Sequence, residues 1–230
     1  MKLSLGIVGL PNVGKSTLFR HLTNKDVNIA NYPFCTIDPN VGIVTVPDER
    51  LIKLAQQEES EQQIPAVIEF YDIAGLVKGA NKGEGLGNKF LAQIRATNAI
   101  VMVLRCSADD NIIHVEEKVD PLRDMEIINT ELIMKDLETV ENRLESVEKE
   151  LRGNNKEALK EKESLEKAQE KLLAGRLVTE LADDPAIHNM QLLTAKQQIY
   201  LLNGEESDVS EELKKKIAEL GFDYVVVNLK

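Results

Sequence analysis

A chain of 230 residues that is 43% hydrophobic can bury one α/β core and still carry a smaller appended element. With a net charge of −11, only 4% aromatic residues and no Trp, it lacks the features of a base-stacking surface or a phosphate-backbone binder, so no direct DNA binding is expected. No run approaches the ~18 consecutive apolar residues of a membrane span, the N-terminus has no cleavage signal, and Cys35 and Cys106 have no metal-ligand spacing; no membrane association is expected, and the location expected is cytoplasmic with both thiols reduced.

Leu3–Val8 is a buried apolar strand that runs into a Gly-rich turn. A helix starts near Lys15 and carries Leu18, Phe19 and Leu22 at helical spacing. Asn31–Asn40, broken by Pro33 and Pro39, reads as a loop. Val41–Val46 is a strand, and Asp48 is placed to cap the helix that carries Leu51, Ile52 and Leu54. Ala66–Tyr71 and Ala99–Leu104 are further strands. The glycines Gly75, Gly79, Gly83, Gly85 and Gly87 lie between them and lead into a helix through Phe90, Leu91 and Ile94. The alternation predicts an α/β domain with a mainly parallel sheet and ligands at the carboxyl ends of its strands.

The character changes near residue 125. Ile133, Leu137, Val140, Leu144, Val147 and Leu151 are spaced 4, 3, 4, 3, 4, a heptad seam. Gly153-Asn154-Asn155 breaks it, and Leu159, Leu165, Ala168, Leu172 and Leu173 on a second helix are able to face the first. An antiparallel helical hairpin is the simpler reading, with an intermolecular coiled coil as the alternative. A solvated structural arm and a docking surface both fit its mixed charges. After Pro185 the α/β pattern returns, with a strand at Gln198–Leu202, a helix at Ser210–Leu220 and a last strand at Tyr224–Val227. The expected organisation is a nucleotide-binding domain in two parts, 1–125 and 185–230, around a helical insertion at 126–184. The sequence ends three residues past the last strand, where a doubly wound domain usually adds a helix, so a truncated second part is expected.

Gly9-Leu10-Pro11-Asn12-Val13-Gly14-Lys15-Ser16 fits G-x-x-x-x-G-K-[ST] at every position, between a strand and a helix. Gly9 and Gly14 let backbone N–H groups turn towards phosphates, Lys15 supplies charge to the β- and γ-phosphates, and the helix N-terminus adds its dipole. The Ser16 hydroxyl suits Mg²⁺, which prefers hard oxygen donors. Pro11, Asn12, Val13 and Thr17 complete the expected phosphate-binding set. Asp72-Ile73-Ala74-Gly75 follows a strand, so Asp72 is placed to hold a water on Mg²⁺ and the Gly75 N–H to reach the γ-phosphate. Thr36, in the loop after the first helix, is a further candidate Mg²⁺ ligand. The glycines of Lys78–Gly87 read as a switch segment.

These motifs, with Asn31–Asn40, Gly83-Glu84-Gly85-Leu86-Gly87-Asn88 and the helical insertion, resemble the Obg family of P-loop NTPases, and within it the YchF branch of Obg-like ATPases. The resemblance covers essentially the whole chain. It implies a P-loop NTPase fold of GTPase type, slow Mg²⁺-dependent hydrolysis as a switch, and association with ribosomes. Full members of the branch carry a C-terminal TGS domain that has no counterpart here, which puts ribosome binding in doubt. GTPases carry N-K-x-D after the fifth strand, where the Asp reads guanine; here Asn203-Gly204-Glu205-Glu206 reads N-x-x-E, the form this branch associates with adenine. ATP is therefore the expected nucleotide, read by Asn203, Gly204 and Glu206, and GTP the alternative. Asn228-Leu229-Lys230 takes the place of the last base-contacting loop but matches its S-A-K poorly. Leu76 stands where Ras-like enzymes have a water-orienting Gln, so catalysis must use another group or stay slow, and a non-catalytic nucleotide-gated module is the second reading. The resemblance offers two candidates: Asn12, matching an Asn that holds K⁺ in potassium-stimulated relatives, and His114, matching a His considered catalytic in the branch. His21 and His188 show no partner pattern and are expected to be structural.

Overall fold

Leu3–Val8 (β1) and Ala99–Arg105 (β4), both nearly continuous apolar runs, pair in parallel at the centre of a six-stranded sheet. The computed structural model describes residues 3–23, 41–72, 88–107, 119–151 and 156–229, the side chains of Asp72 and residues 88–91 excepted. With Val41–Thr45 (β2), Val67–Asp72 (β3), Gln197–Asn203 (β5) and Asp223–Val227 (β6), the order is β2-β3-β1-β4-β5-β6. Every neighbouring pair is parallel except β2 with β3, which is antiparallel. The expected mainly parallel α/β sheet is therefore the one observed. Six of the seven residues of β4 are buried, as a strand covered on both faces requires.

The pleat of β4 divides the core in two. Val101 and Val103 join Ile7, Val13 and Leu18 of the first helix, Lys15–Thr23 (α1). On the other face, Ile100, Met102 and Leu104 pack with Ile94, Tyr200, Leu202, Leu213 and Ile217. These side chains come from Asn88–Ala96 (α3, after Glu49–Gln57, α2), from β5, and from Glu211–Glu219 (α7, the last helix). Two helix starts behave as their sequence implies: Asp48 accepts a hydrogen bond from the Arg50 N–H at 3.0 Å, and Ser210 accepts from that of Leu213 at 3.2 Å. On α2, however, Ile52 and Leu54 are exposed, and only Ala55 is buried.

Pro121–Leu151 (α4) belongs to both the sheet and the arm. Met125, Ile128 and Leu132 lie in the sheet core, whereas Ile133, Val140 and Val147 begin a second core. Lys156–Leu173 (α5) returns along α4 and contributes Ala158, Leu165, Ala168 and Leu172, with Leu137, Leu144 and Leu151 packed against them. The pair is a hairpin within one chain, and the whole predicted seam of α4 takes part. On α5 the expectation needs correction: Leu159 is 51% exposed and Leu173 66%. Ala158, Leu165 and Leu172 are seven apart, so the buried stripe passes through Ala158, and Leu159 sits about 100° round the helix from it. The breaker Gly153-Asn154-Asn155 lies outside the described residues. Arg143 forks onto Glu161 at 2.6 and 2.8 Å across the hairpin, and Lys162 reaches Glu148 at 3.3 Å. These pairs are half-exposed, so the apolar seam carries the stability.

A buried carboxylate ties the arm to the body. Asp136 on α4 is fully buried and accepts from the Leu193 N–H at 3.0 Å, the Thr194 N–H at 2.7 Å and the Thr194 hydroxyl at 2.7 Å. Arg95, in the last turn of α3, lies 3.8 Å from the same carboxylate and donates to the Thr139 hydroxyl at 2.6 Å. Burial pushes the Asp136 carboxyl above its ordinary value, and the donors around it oppose that rise. Pro185–Met190 (α6) and the turn Leu193–Ala195 then lead into β5.

Candidate nucleotide-binding site

Parallel strands bring their carboxyl ends to one edge of the sheet, and the sequence motifs collect there. β1 ends at Val8 and the chain turns through residues 9–14 before α1 starts at Lys15. Two glycines are required in this turn. A Cβ on Gly9 would stand 2.5 Å from the Val103 carbonyl oxygen and 2.9 Å from the Val13 side chain, so the loop can cross β4 only without one. Gly14 has φ +109°, and a Cβ there would meet the Asn203 amide nitrogen at 2.6 Å. Asn12 takes the left-handed region at φ 63°, a conformation Asn tolerates better than most residues, and its side chain is exposed.

Lys15 is 7% exposed, and its Nζ donates to the Leu10 carbonyl at 2.5 Å, folding the cation back into the loop. Ser16 and Thr17 are exposed at the N-terminus of α1, while Val13 is buried beneath the loop and Pro11 is half-buried. The Leu18 N–H bonds the Gly14 carbonyl at 2.9 Å, closing the first helical turn. Asp72 ends β3 in register with Ile7 of β1, which places its backbone beside the root of the loop. Ser16 and Asp72 are hard-oxygen residues at the helix start and the adjacent strand end, a set that suits Mg²⁺. Thr36, Gly75 and His114 lie outside the described residues.

The loop after β5 is built around Asn203. Its Nδ2 donates to the Val13 carbonyl at 2.9 Å, bracing the phosphate loop directly, and its Oδ1 accepts from the Leu229 N–H at 3.2 Å. Its own carbonyl accepts from the N–H groups of Cys106 and Ser107 at 2.9 and 3.2 Å, and Gly204 donates to the Val227 carbonyl at 3.1 Å. Asn203 and Gly204 are thus brought to the phosphate loop. Glu206 is turned away from it: Oε1 lies 2.7 Å from Lys214 Nζ on α7, and the side chain is 67% exposed. Glu206 and Glu211 hold the Lys214 ammonium above its ordinary pKa.

Sequence reasoning placed Asn228 and Leu229 near the base end of the site but missed their contacts. Leu229 is buried among Ile7, Val13 and Leu18, and Asn228 Nδ2 donates to Glu205 Oε1 at 2.6 Å. The resemblance gave the position of this loop; no periodicity could have given a contact between residues 23 apart. Cys106 is buried at the end of β4, and burial, with Asp208 and Asp124 nearby, pushes its thiol up to about 12. His21 and His188 are exposed on α1 and α6. No described helix is long and apolar enough to cross a membrane.

A phosphate loop braced by an Asn at the end of the fifth strand has a counterpart among known proteins. The family described as 50S ribosome-binding GTPase matches residues 4–215. The ribosome-binding ATPase YchF of Bacillus subtilis is 49% identical over 215 residues, which cover 92% of this chain and 59% of that protein. The chain belongs to this P-loop NTPase family, in its YchF branch. In the same branch, Obg-like ATPase 1 of rice is 44% identical over 223 residues, covering 95% of this chain and 57% of that protein. The structure of the Schizosaccharomyces pombe YchF GTPase matches with a TM-score of 0.81 at 40% identity, over 99% of this chain and 66% of that one. The chain spans less than two thirds of the length of the curated relatives it matches. Their names carry both ATPase and GTPase, so the nucleotide is a question for the site itself.

Proposed function

We propose that this chain is the nucleotide-binding part of a Mg²⁺-dependent ATPase that cycles slowly between ATP and ADP states as a conformational switch. The observation that carries the reading is the Gly9–Ser16 loop, closed over Lys15 at the start of α1 and braced by Asn203. Gly9, Pro11, Asn12, Val13, Gly14, Lys15, Ser16 and Thr17 would surround the phosphates, with backbone N–H groups and the α1 dipole turned to them. On binding, Lys15 Nζ exchanges the Leu10 carbonyl for β- and γ-phosphate oxygens. Ser16, Thr36 and Asp72 would hold Mg²⁺, which when bound neutralises charge on the phosphates. The Gly75 N–H senses the γ-phosphate, and Asn203, Gly204 and Glu206 supply the loop at which the base is read.

Leu76 offers the attacking water no hydrogen bond. Its orientation falls to His114, and Asn12 would hold a K⁺ whose charge supports the transition state. The organisation into a nucleotide-binding domain at 1–125 and 185–230 with a helical insertion at 126–184 is part of the same reading. So are ribosome association, after the names of the bacterial relatives, and a cytoplasmic location.

Phosphate release by the purified chain tests the enzyme reading. Release from ATP should need Mg²⁺, rise with K⁺, proceed on the order of 10⁻² s⁻¹ or slower, and fall at least about tenfold in His114→Ala. Tight ATP binding with no release above background, with or without K⁺, would leave the non-catalytic module favoured by Leu76.

A further inference from the structure

Two acidic residues follow Gly204, and their side chains part. Glu206 runs to Lys214 on α7 at 2.7 Å, where Glu211 also reaches the same ammonium at 3.0 Å. Glu205 turns the other way. Its Oε1 accepts from Asn228 Nδ2 at 2.6 Å, and its carboxylate caps the Asp208 N–H, while Asp208 Oδ2 accepts from the Glu205 N–H at 2.9 Å. Asn228 precedes Leu229, whose N–H is bonded to Asn203 Oδ1 and whose side chain packs on the phosphate-loop core. Glu205 therefore stands where the loops after β5 and β6 meet, next to the residue that braces the phosphate loop. It is held there from both sides.

We propose that Glu205, and not Glu206, is the carboxylate that selects the base, by accepting a hydrogen bond from the amino group of a 6-aminopurine. The inference rests on the reading of this site as a purine triphosphate site and deepens it. A carboxylate only accepts hydrogen bonds, and it has about four lone-pair positions. Asn228 and the Asp208 N–H take two, so acceptor capacity remains for a ligand. A 6-amino group donates to it. A 6-oxo group presents a second acceptor, and facing acceptors with no proton between them are the kind of mismatch that gives strong rejection. For Glu206 to do this work it would first have to leave Lys214.

The test is the dissociation constants of ATP, inosine triphosphate and GTP, with Mg²⁺, for the wild type, Glu205→Gln and Glu206→Gln. Inosine triphosphate carries the 6-oxo group without the 2-amino group of GTP, so it isolates the 6-position. Glu205→Gln keeps an amide oxygen for Asn228 and the cap, but brings an NH₂ that can donate to a 6-oxo group. The ATP preference over inosine triphosphate should shrink at least about tenfold in Glu205→Gln and stay within about twofold in Glu206→Gln. Asn228→Ala, which frees Glu205 from its partner, should shrink it in the same direction. A loop merely loosened would weaken all three nucleotides alike and leave the ratio unmoved. If the wild type prefers ATP and Glu205→Gln leaves the ratio unchanged, or Glu206→Gln moves it as far, the role of Glu205 is refuted. If the wild type shows no preference for ATP over both 6-oxo nucleotides, the ATP reading falls, and the Glu205 proposal with it.

Discussion

Replacing Lys15 with Met is expected to lower the affinity for ATP at least about 100-fold while leaving the free chain folded. Met keeps the aliphatic stem that is buried in the loop and removes only the cation. What is lost without nucleotide is the hydrogen bond to the Leu10 carbonyl, worth about 1 kcal/mol, or a few degrees in melting temperature. What is lost with nucleotide is a charge-assisted contact to a polyanion in a partly dry site, where removing one partner costs about 2–5 kcal/mol. The two effects separate in a thermal-shift series. ATP should raise the melting temperature of the wild type in proportion to the logarithm of its concentration, and should leave that of Lys15→Met unmoved. A variant that still responds to ATP at wild-type concentrations would remove Lys15 from the phosphate site.

Asp136→Ala should be the most damaging single substitution away from the nucleotide site, costing about 3–5 kcal/mol. The carboxylate satisfies two backbone N–H groups and a hydroxyl of Leu193 and Thr194, with Arg95 close by, and none of it reaches water. Alanine leaves those donors buried without an acceptor and opens the joint between α4 and the turn that leads into β5. For a chain of this length the loss corresponds to a fall of roughly 10 °C in melting temperature. Asp136→Asn keeps an amide oxygen but turns an NH₂ towards one set of donors, so it should fall between the two. Equal melting temperatures for wild type and Asp136→Ala would mean that the joint contributes nothing to stability.

How much of this was legible in the sequence depends on the range of each interaction. The strands and the phosphate loop were readable because their signals are local: apolar runs bounded by turns, and eight consecutive residues whose types are each dictated by phosphate chemistry. The α4 seam was readable because every position in its heptad repeat carries a leucine, isoleucine or valine. On α5 the seam uses Ala158 and Ala168, which carry little apolar signal, and the neighbouring leucines drew the stripe one position off. Asp136 gave no signal at all. In an acidic amphipathic helix it looks like one more solvated charge, and its partners lie 57 and 58 residues away. The base loop shows the same limit. N-x-x-E at Asn203–Glu206 suggested which residues matter, but the choice between Glu205 and Glu206 is made by Lys214 and Asn228, which come from other elements.

The most direct test of the account is calorimetric titration of the wild-type chain with Mg²⁺-ATP and with Mg²⁺-GTP. One ATP should bind per chain, at least about tenfold tighter than GTP, and no ATP heat should be seen with Lys15→Met. Tighter binding of GTP, or no binding of either nucleotide, would contradict it.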